Sequence, residues 1–153
     1  IRAYDIKKYD EPELTECYTD AAGLDKLLRE SDFVLLTIPL FDSTFHMIND
    51  EVFDKMKPTA MLINVSRGPI VDERALERAL REGKIAWAAC DVFEQEPLSA
   101  DSPLWELPNI FITSHKAGMG DTWTYFIGQL MERNIGHYLA GEPLENVINL
   151  SVH

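Results

Sequence analysis

The feature that most constrains this chain is the recurrence of short, nearly continuous apolar runs at wide spacing. Residues 33–38 (Phe-Val-Leu-Leu-Thr-Ile) form one, stopped by Pro39, and residues 60–65, 85–90 and 110–113 repeat the pattern. Residues 1–4 are a shorter candidate, ending at Asp5. A strand with one wet face alternates apolar and polar side chains. Runs without alternation mark strands covered on both faces, as in a parallel sheet.

Amphipathic stretches with helix signals lie between the runs. Asp20 is placed to cap a helix that turns Leu24, Leu27 and Leu28 to one side. Asn49 is placed to cap a second, with Asp50 and Glu51 in its first turn, where the helix dipole favours acids, and Pro58 ending it. Asp72 starts a third, with Leu76, Ala79 and Leu80 inward and Gly83 as its C-terminal stop. The last and longest carries Trp123, Phe126, Ile127, Leu130, Met131 and Tyr138 as its apolar stripe and ends at Gly141 and Pro143. The order β-α-β-α-β-α-β-β-α implies right-handed crossovers and an α/β fold, a three-layer doubly wound parallel sheet. At 153 residues the chain is long enough for one such domain and short for two.

Composition narrows the partners. A formal charge of −12 argues against nucleic acid or an anionic membrane surface, since both would be repelled. No apolar run is long enough to span a bilayer. Cys17 and Cys90 are the only cysteines, without metal-ligand or Cys-x-x-Cys spacing, which fits a reducing, cytoplasmic setting and no metal.

Ligands of open α/β sheets bind beyond the carboxyl ends of the strands. Asp5 ends the first strand, and Thr37 and Pro39 the second; Ser66, Arg67 and Gly68 follow the third, Asp91 and Glu96 the fourth, and His115, Lys116 and Gly118 the fifth. A guanidinium, carboxylates and an imidazole in one cleft can bind an acidic substrate and move a proton. Singly, each has a plainer reading. Asp5 suits a turn, Arg67 a surface ion pair, Asp91 a cap, and Glu96 and His115 solvated loops. His46, His137 and His153 are given the plain reading.

Three ordered segments resemble a known family: Asn64-Val65-Ser66-Arg67-Gly68, Asp91-Val92-Phe93-Glu94-Gln95-Glu96-Pro97-Leu98 and Thr113-Ser114-His115-Lys116-Ala117-Gly118. They look like the motifs of the D-isomer-specific 2-hydroxyacid dehydrogenases, and the tail Ala140-Gly141-Glu142-Pro143-Leu144-Glu145-Asn146-Val147 is similar too. The resemblance implies an oxidoreductase that uses NAD to interconvert small D-2-hydroxy and 2-oxo acids. His115 would carry the substrate proton, Glu96 would orient the His115 ring and stabilise the imidazolium, and Arg67 would pair with the substrate carboxylate. Asp5, Thr37, Pro39, Val65, Ser66, Arg67, Asp91, His115, Ala117 and Gly118 would line the cofactor site, with Asp5 on the adenosine ribose favouring NAD over NADP.

Two departures stand out. Ser114 replaces the proline that usually precedes the histidine. The family's first strand and helix, joined by a Gly-x-Gly-x-x-Gly turn that holds the pyrophosphate, have no counterpart in these 153 residues. The reading is therefore one truncated NAD-binding domain over residues 1–153, without a substrate domain and with little turnover of its own. Removing strand 1 from the Rossmann order 3-2-1-4-5-6 and closing the gap predicts a flavodoxin-like five-stranded order 2-1-3-4-5. Two other readings are carried: a non-catalytic nucleotide-sensing module like the family's corepressors, and an excised fragment with a fold but no function. The choice among 2-hydroxy acids and the oligomeric state stay open at this stage.

Overall fold

A computed structural model describes residues 1–120 and 122–147. The chain divides into two compact units, Ile1–Lys116 and Ala117–His153. The first contains strands β1 (Arg2–Tyr4), β2 (Glu16–Tyr18), β3 (Phe33–Leu36), β4 (Met61–Asn64), β5 (Trp87–Cys90) and β6 (Ile110–Ile112). It also contains helices α1 (Ala21–Glu30), α2 (Asp50–Phe53) and α3 (Glu73–Glu82). Short 3-10 turns occupy Gly68–Ile70 and Pro103–Glu106. The described part of the second unit is built on helix α4 (Trp123–Ala140).

Local chemistry sets the helix ends as expected. Asp20 accepts from the Gly23 amide at 2.7 Å, and Asn49 from the Val52 amide at 3.3 Å. Asp72 accepts from the Arg74 and Ala75 amides at 2.9 and 3.1 Å. Gly83 and Gly141 end α3 and α4 in the left-handed region, at φ 70° and 69°, where a glycine carries no Cβ penalty. The second helix is a single turn, shorter than the Asn49 and Pro58 signals predicted.

All strand pairs are parallel. Strands β3, β4, β5 and β6 are neighbours in that order, with rungs such as Leu35 to Ile63 to Ala89 to Phe111. Their alternate residues Val34, Leu36, Leu62, Ala88 and Cys90 are buried. Leu28 of α1, Phe53 of α2, and Ala75, Leu76, Ala79 and Leu80 of α3 join them in one core. Each such aliphatic or aromatic side chain removed from water contributes about 1.5–3 kcal/mol before the entropy of ordering is subtracted. The opposite face carries Phe33, Leu35, Trp87 and Phe111, all exposed. Of the three layers expected, the first unit itself supplies two.

The α/β class and the parallel, Rossmann-like arrangement hold, and so does the succession of the last three expected strands. The order 2-1-3-4-5 does not. It required residues 1–4 to insert between the 33–36 and 61–64 strands, which instead pair directly with each other. Strand β1 pairs with β2, a strand the sequence did not announce, in a separate two-stranded sheet. Arg2 explains the preference. A central strand must be apolar on both faces, whereas Arg2 makes ion pairs with Glu16 at 3.0 Å and Glu30 at 2.5 Å, which the edge position allows. Among the described residues no helix is long and apolar enough to cross a membrane.

Candidate active site

Because β3 to β6 are parallel, their carboxyl ends share one edge, and the loops that follow them converge there. Asn64, the last residue of β4, is buried and organises the first loop. Its side-chain oxygen accepts from the Ser66 amide at 3.1 Å and the Ser66 hydroxyl at 2.8 Å, and its nitrogen donates to the Arg67 carbonyl at 3.1 Å. The closed turn leaves the Arg67 side chain exposed, with one guanidinium nitrogen donating to the Ser66 carbonyl at 2.7 Å. Gly68 comes next for a steric reason. A Cβ at that position would lie 1.8 Å from the Phe93 carbonyl oxygen, so only glycine lets the β4 loop abut the β5 loop.

Asp91, one residue past β5, is buried and acts as a staple. Its amide donates to the Asn64 carbonyl at 3.0 Å, and its own carbonyl accepts from the His115 amide at 2.8 Å. Its carboxylate accepts from the Thr113 hydroxyl and, at 2.9 Å, from the Lys116 amide. A buried carboxylate needs such donors, and these fix the loop after β6 to the end of β5.

His115 sits on that loop in the left-handed region, at φ 54°, uncommon for a residue other than glycine. Its Nδ1 lies 2.7 Å from Oε2 of Glu96, and the other Glu96 oxygen accepts from the Phe93 amide at 3.1 Å. The bond to His115 is the main reason that the Glu96 carboxyl is held below its ordinary range. With Nδ1–H donating to Glu96, the imidazole Nε2 is left for another partner, an arrangement suited to passing a proton.

Two cavities open on this edge. One, of about 750 Å³, is lined by His115, Glu96 and Asp91 together with an apolar wall that includes Leu98, Trp105 and Ile112. The other, of about 530 Å³, is lined by Thr37, Pro39, Val65, Ser66 and Arg67. The expected residues are thus brought together in two groups joined where Gly68 meets Phe93. Asp5 lies in neither; its carboxylate accepts from the Lys7 amide at 2.9 Å, as a turn residue would. Ala117 and Gly118 belong to the second unit, and His153 lies outside the described residues. Trp105 was missed, although an aromatic in a long irregular loop after a strand end is a readable signal. His46 was read as plain, yet its Nε2 lies 3.1 Å from Oε1 of Glu94.

The family model of the D-isomer-specific 2-hydroxyacid dehydrogenase NAD-binding domain matches residues 1–117. A glyoxylate reductase of Korarchaeum cryptofilum is 44% identical over 152 residues, 99% of this chain and 44% of that protein. The chain therefore spans less than half the length of that curated relative. A D-isomer-specific 2-hydroxyacid dehydrogenase of Xanthobacter autotrophicus, solved with NADPH and MES, superposes with a TM-score of 0.85 at 35% identity, over 97% of this chain and 60% of that one. The D-lactate dehydrogenase of Lactobacillus jensenii, solved with NAD+, does so at 0.82 and 30%, over 97% and 48%. On these matches the chain belongs to the D-isomer-specific 2-hydroxyacid dehydrogenase family.

Proposed function

We propose that these residues form the proton-handling half of an NAD-linked enzyme that reduces small 2-oxo acids and oxidises D-2-hydroxy acids. The observation that carries the proposal is the 2.7 Å bond from His115 to Glu96 in a cavity at the carboxyl edge of a parallel sheet. The nicotinamide, when bound, supplies hydride to the carbonyl carbon or accepts it from the hydroxy acid. His115 delivers a proton to the carbonyl oxygen in reduction and removes it in oxidation. Glu96 holds the ring in the tautomer that leaves Nε2 free to do so. Arg67 binds the substrate carboxylate through its planar fork of donors. Glyoxylate and hydroxypyruvate are the first substrates to try, given the relatives' names.

The residues fit such a cofactor in part. Thr37, Pro39, Val65, Ser66 and Arg67 line one cavity, and Asp91 and His115 the other, so a ring bound along the edge meets both groups. Asp5 is kept for the ribose hydroxyls. The backbone-amide cradle of a Gly-x-Gly-x-x-Gly turn is not among these 153 residues. Cofactor grip is accordingly weak and turnover by the chain alone negligible.

The test is NADH and NADPH titration of the folded chain by fluorescence and calorimetry, with glyoxylate-dependent NADH oxidation followed in parallel. Millimolar binding that favours NADH, with the preference narrowed by Asp5→Ala, supports the reading. Absence of any binding at millimolar cofactor removes the cofactor site from this chain. If turnover is seen, His115→Ala lowers it about 10²–10⁴-fold, the usual worth of an acid-base group. Turnover indifferent to that change would strip His115 of its role.

A further inference from the structure

Glu96 is useful only if it points at His115, and it sits on an irregular loop with no strand or helix to hold it. The anchors of that loop are unusual. Oε1 of Glu94 accepts from the Glu73 amide at 3.0 Å, and Oε1 of Glu73 accepts from the Glu94 amide at 2.6 Å. Each glutamate thus binds the other's backbone. Glu73 is the first residue of α3, where amides lack a partner within the helix. Asp72 takes the next two amides of that helix, so the Glu73 amide is left for Glu94.

We infer that Glu73 and Glu94 are positioning residues whose reciprocal bonds, locked by His46, hold the 93–96 loop so that Glu96 faces His115. The inference rests on the assignment of Glu96 and His115 above. Three neighbouring residues of the loop are each fixed by a different group. Phe93 is pressed by Gly68 and donates its amide to Glu96. Glu94 is held by Glu73 and by His46, whose own amide donates to the Pro69 carbonyl at 2.8 Å. Glu96 takes the Phe93 amide with one oxygen and His115 with the other. The loops after β3, β4 and β5 are joined at one point behind the site.

The arrangement carries a cost that a simple helix cap would avoid. Two carboxylates face one another, and burial pushes Glu73 above its ordinary value. His46, Asp72 and Arg74 line the same cavity: Asp72 adds a third carboxylate, Arg74 brings a positive charge, and His46 bonds to Glu94. Asp72 already caps α3 through the Arg74 and Ala75 amides. What the pair adds is a fixed position for the Glu94 backbone, two residues from Glu96.

The experiment is carbon-13 NMR titration of the Glu96 carboxyl in the labelled 153-residue chain. In the wild type Glu96 titrates below the ordinary carboxylate range. His115→Ala sets the scale by removing the ring. Glu94→Ala and Glu73→Ala are expected to raise the Glu96 midpoint by at least half of that change. Glu94→Gln and Glu73→Gln keep a carbonyl acceptor and are expected to leave Glu96 near the wild-type midpoint. A role in stability alone would lower the melting temperature of the alanine variants without moving Glu96. Folded alanine variants with an unmoved Glu96 overturn the inference. His115→Ala leaving Glu96 unmoved overturns the Glu96–His115 pairing first, and the inference with it. Should Glu94→Ala fail to fold, Glu73→Ala decides, since it removes one of the two bonds and leaves the Glu94 carboxylate in place.

Discussion

At the scale of single residues, the Glu96–His115 bond has a definite pH signature. A carboxyl depressed in the folded state contributes stability that is present above its unfolded value and disappears as pH falls through its folded one. The Glu96 contribution is therefore complete at neutral pH and vanishes in acid. The side chains are 36% and 52% exposed, so solvent screening keeps it small, below about 1 kcal/mol. Thermal melting of wild type and Glu96→Gln should differ slightly at neutral pH and converge in acid; a gap that persists in acid would contradict the assigned cause. The two cysteines should differ more sharply. Burial pushes the Cys90 thiol up to about 12, and thiolate is the reactive form. Cys17 is half-buried beside the Tyr9 amide. A thiol reagent at mildly alkaline pH should modify Cys17 in the native chain and reach Cys90 only after unfolding, as intact-mass measurement would show. Rapid double modification of native protein would mean that the core around β5 opens readily.

At the scale of elements, the meeting of the β4 and β5 loops is the contact most sensitive to change. Gly68→Ala places a methyl group against backbone, which cannot rotate away, so the loops must part. Overpacking of this kind costs about 1–3 kcal/mol, and chemical denaturation should place the variant in or above that range. Unchanged stability would show that the loops separate freely. The same contrast explains what the sequence disclosed. The runs that became β3 to β6 were legible because Val34, Leu36, Leu62 and Ala88 must be buried, and burial leaves a local apolar mark. Asp20, Asn49, Asp72 and Gly83 were legible because a cap acts within four residues of itself. Strand β2 was not, since Glu16–Tyr18 is three residues long and owes its form to a partner fourteen residues away. Strand order failed for the same reason, because pairing is decided at long range. At the site, His115 and Glu96 could be picked by chemical type and motif. Glu94 could not, because a glutamate in a loop looks solvated until Gly68 and Phe93 bring it against α3. Glu73, at the first position of α3, has the sequence appearance of an ordinary first-turn acid.

At the scale of the whole molecule, apolar attraction and charge repulsion oppose each other. In the first unit Phe33, Leu35, Trp87 and Phe111 form an exposed apolar face, with Trp87 and Phe111 stacked at 5.5 Å. Strand β3 ends its sheet, and among the described residues no strand pairs with its outer edge. Apolar faces and open edges of this kind draw copies together. The formal charge of −12 holds them apart, and that repulsion is the part salt screens, with a Debye length falling from about 10 Å at 0.1 M to 3 Å at 1 M. Sedimentation velocity should therefore find the chain mainly monomeric at low ionic strength and neutral pH. It should shift to larger species as salt is raised, or as pH falls and carboxylates are neutralised. Leu35→Lys places a charge on the apolar face at its open β3 edge, and should suppress the shift without unfolding the chain, because Leu35 points away from the core. A wild type that stays monomeric at high salt would mean that the face does not drive association. Association undiminished by Leu35→Lys would move the contact to another surface.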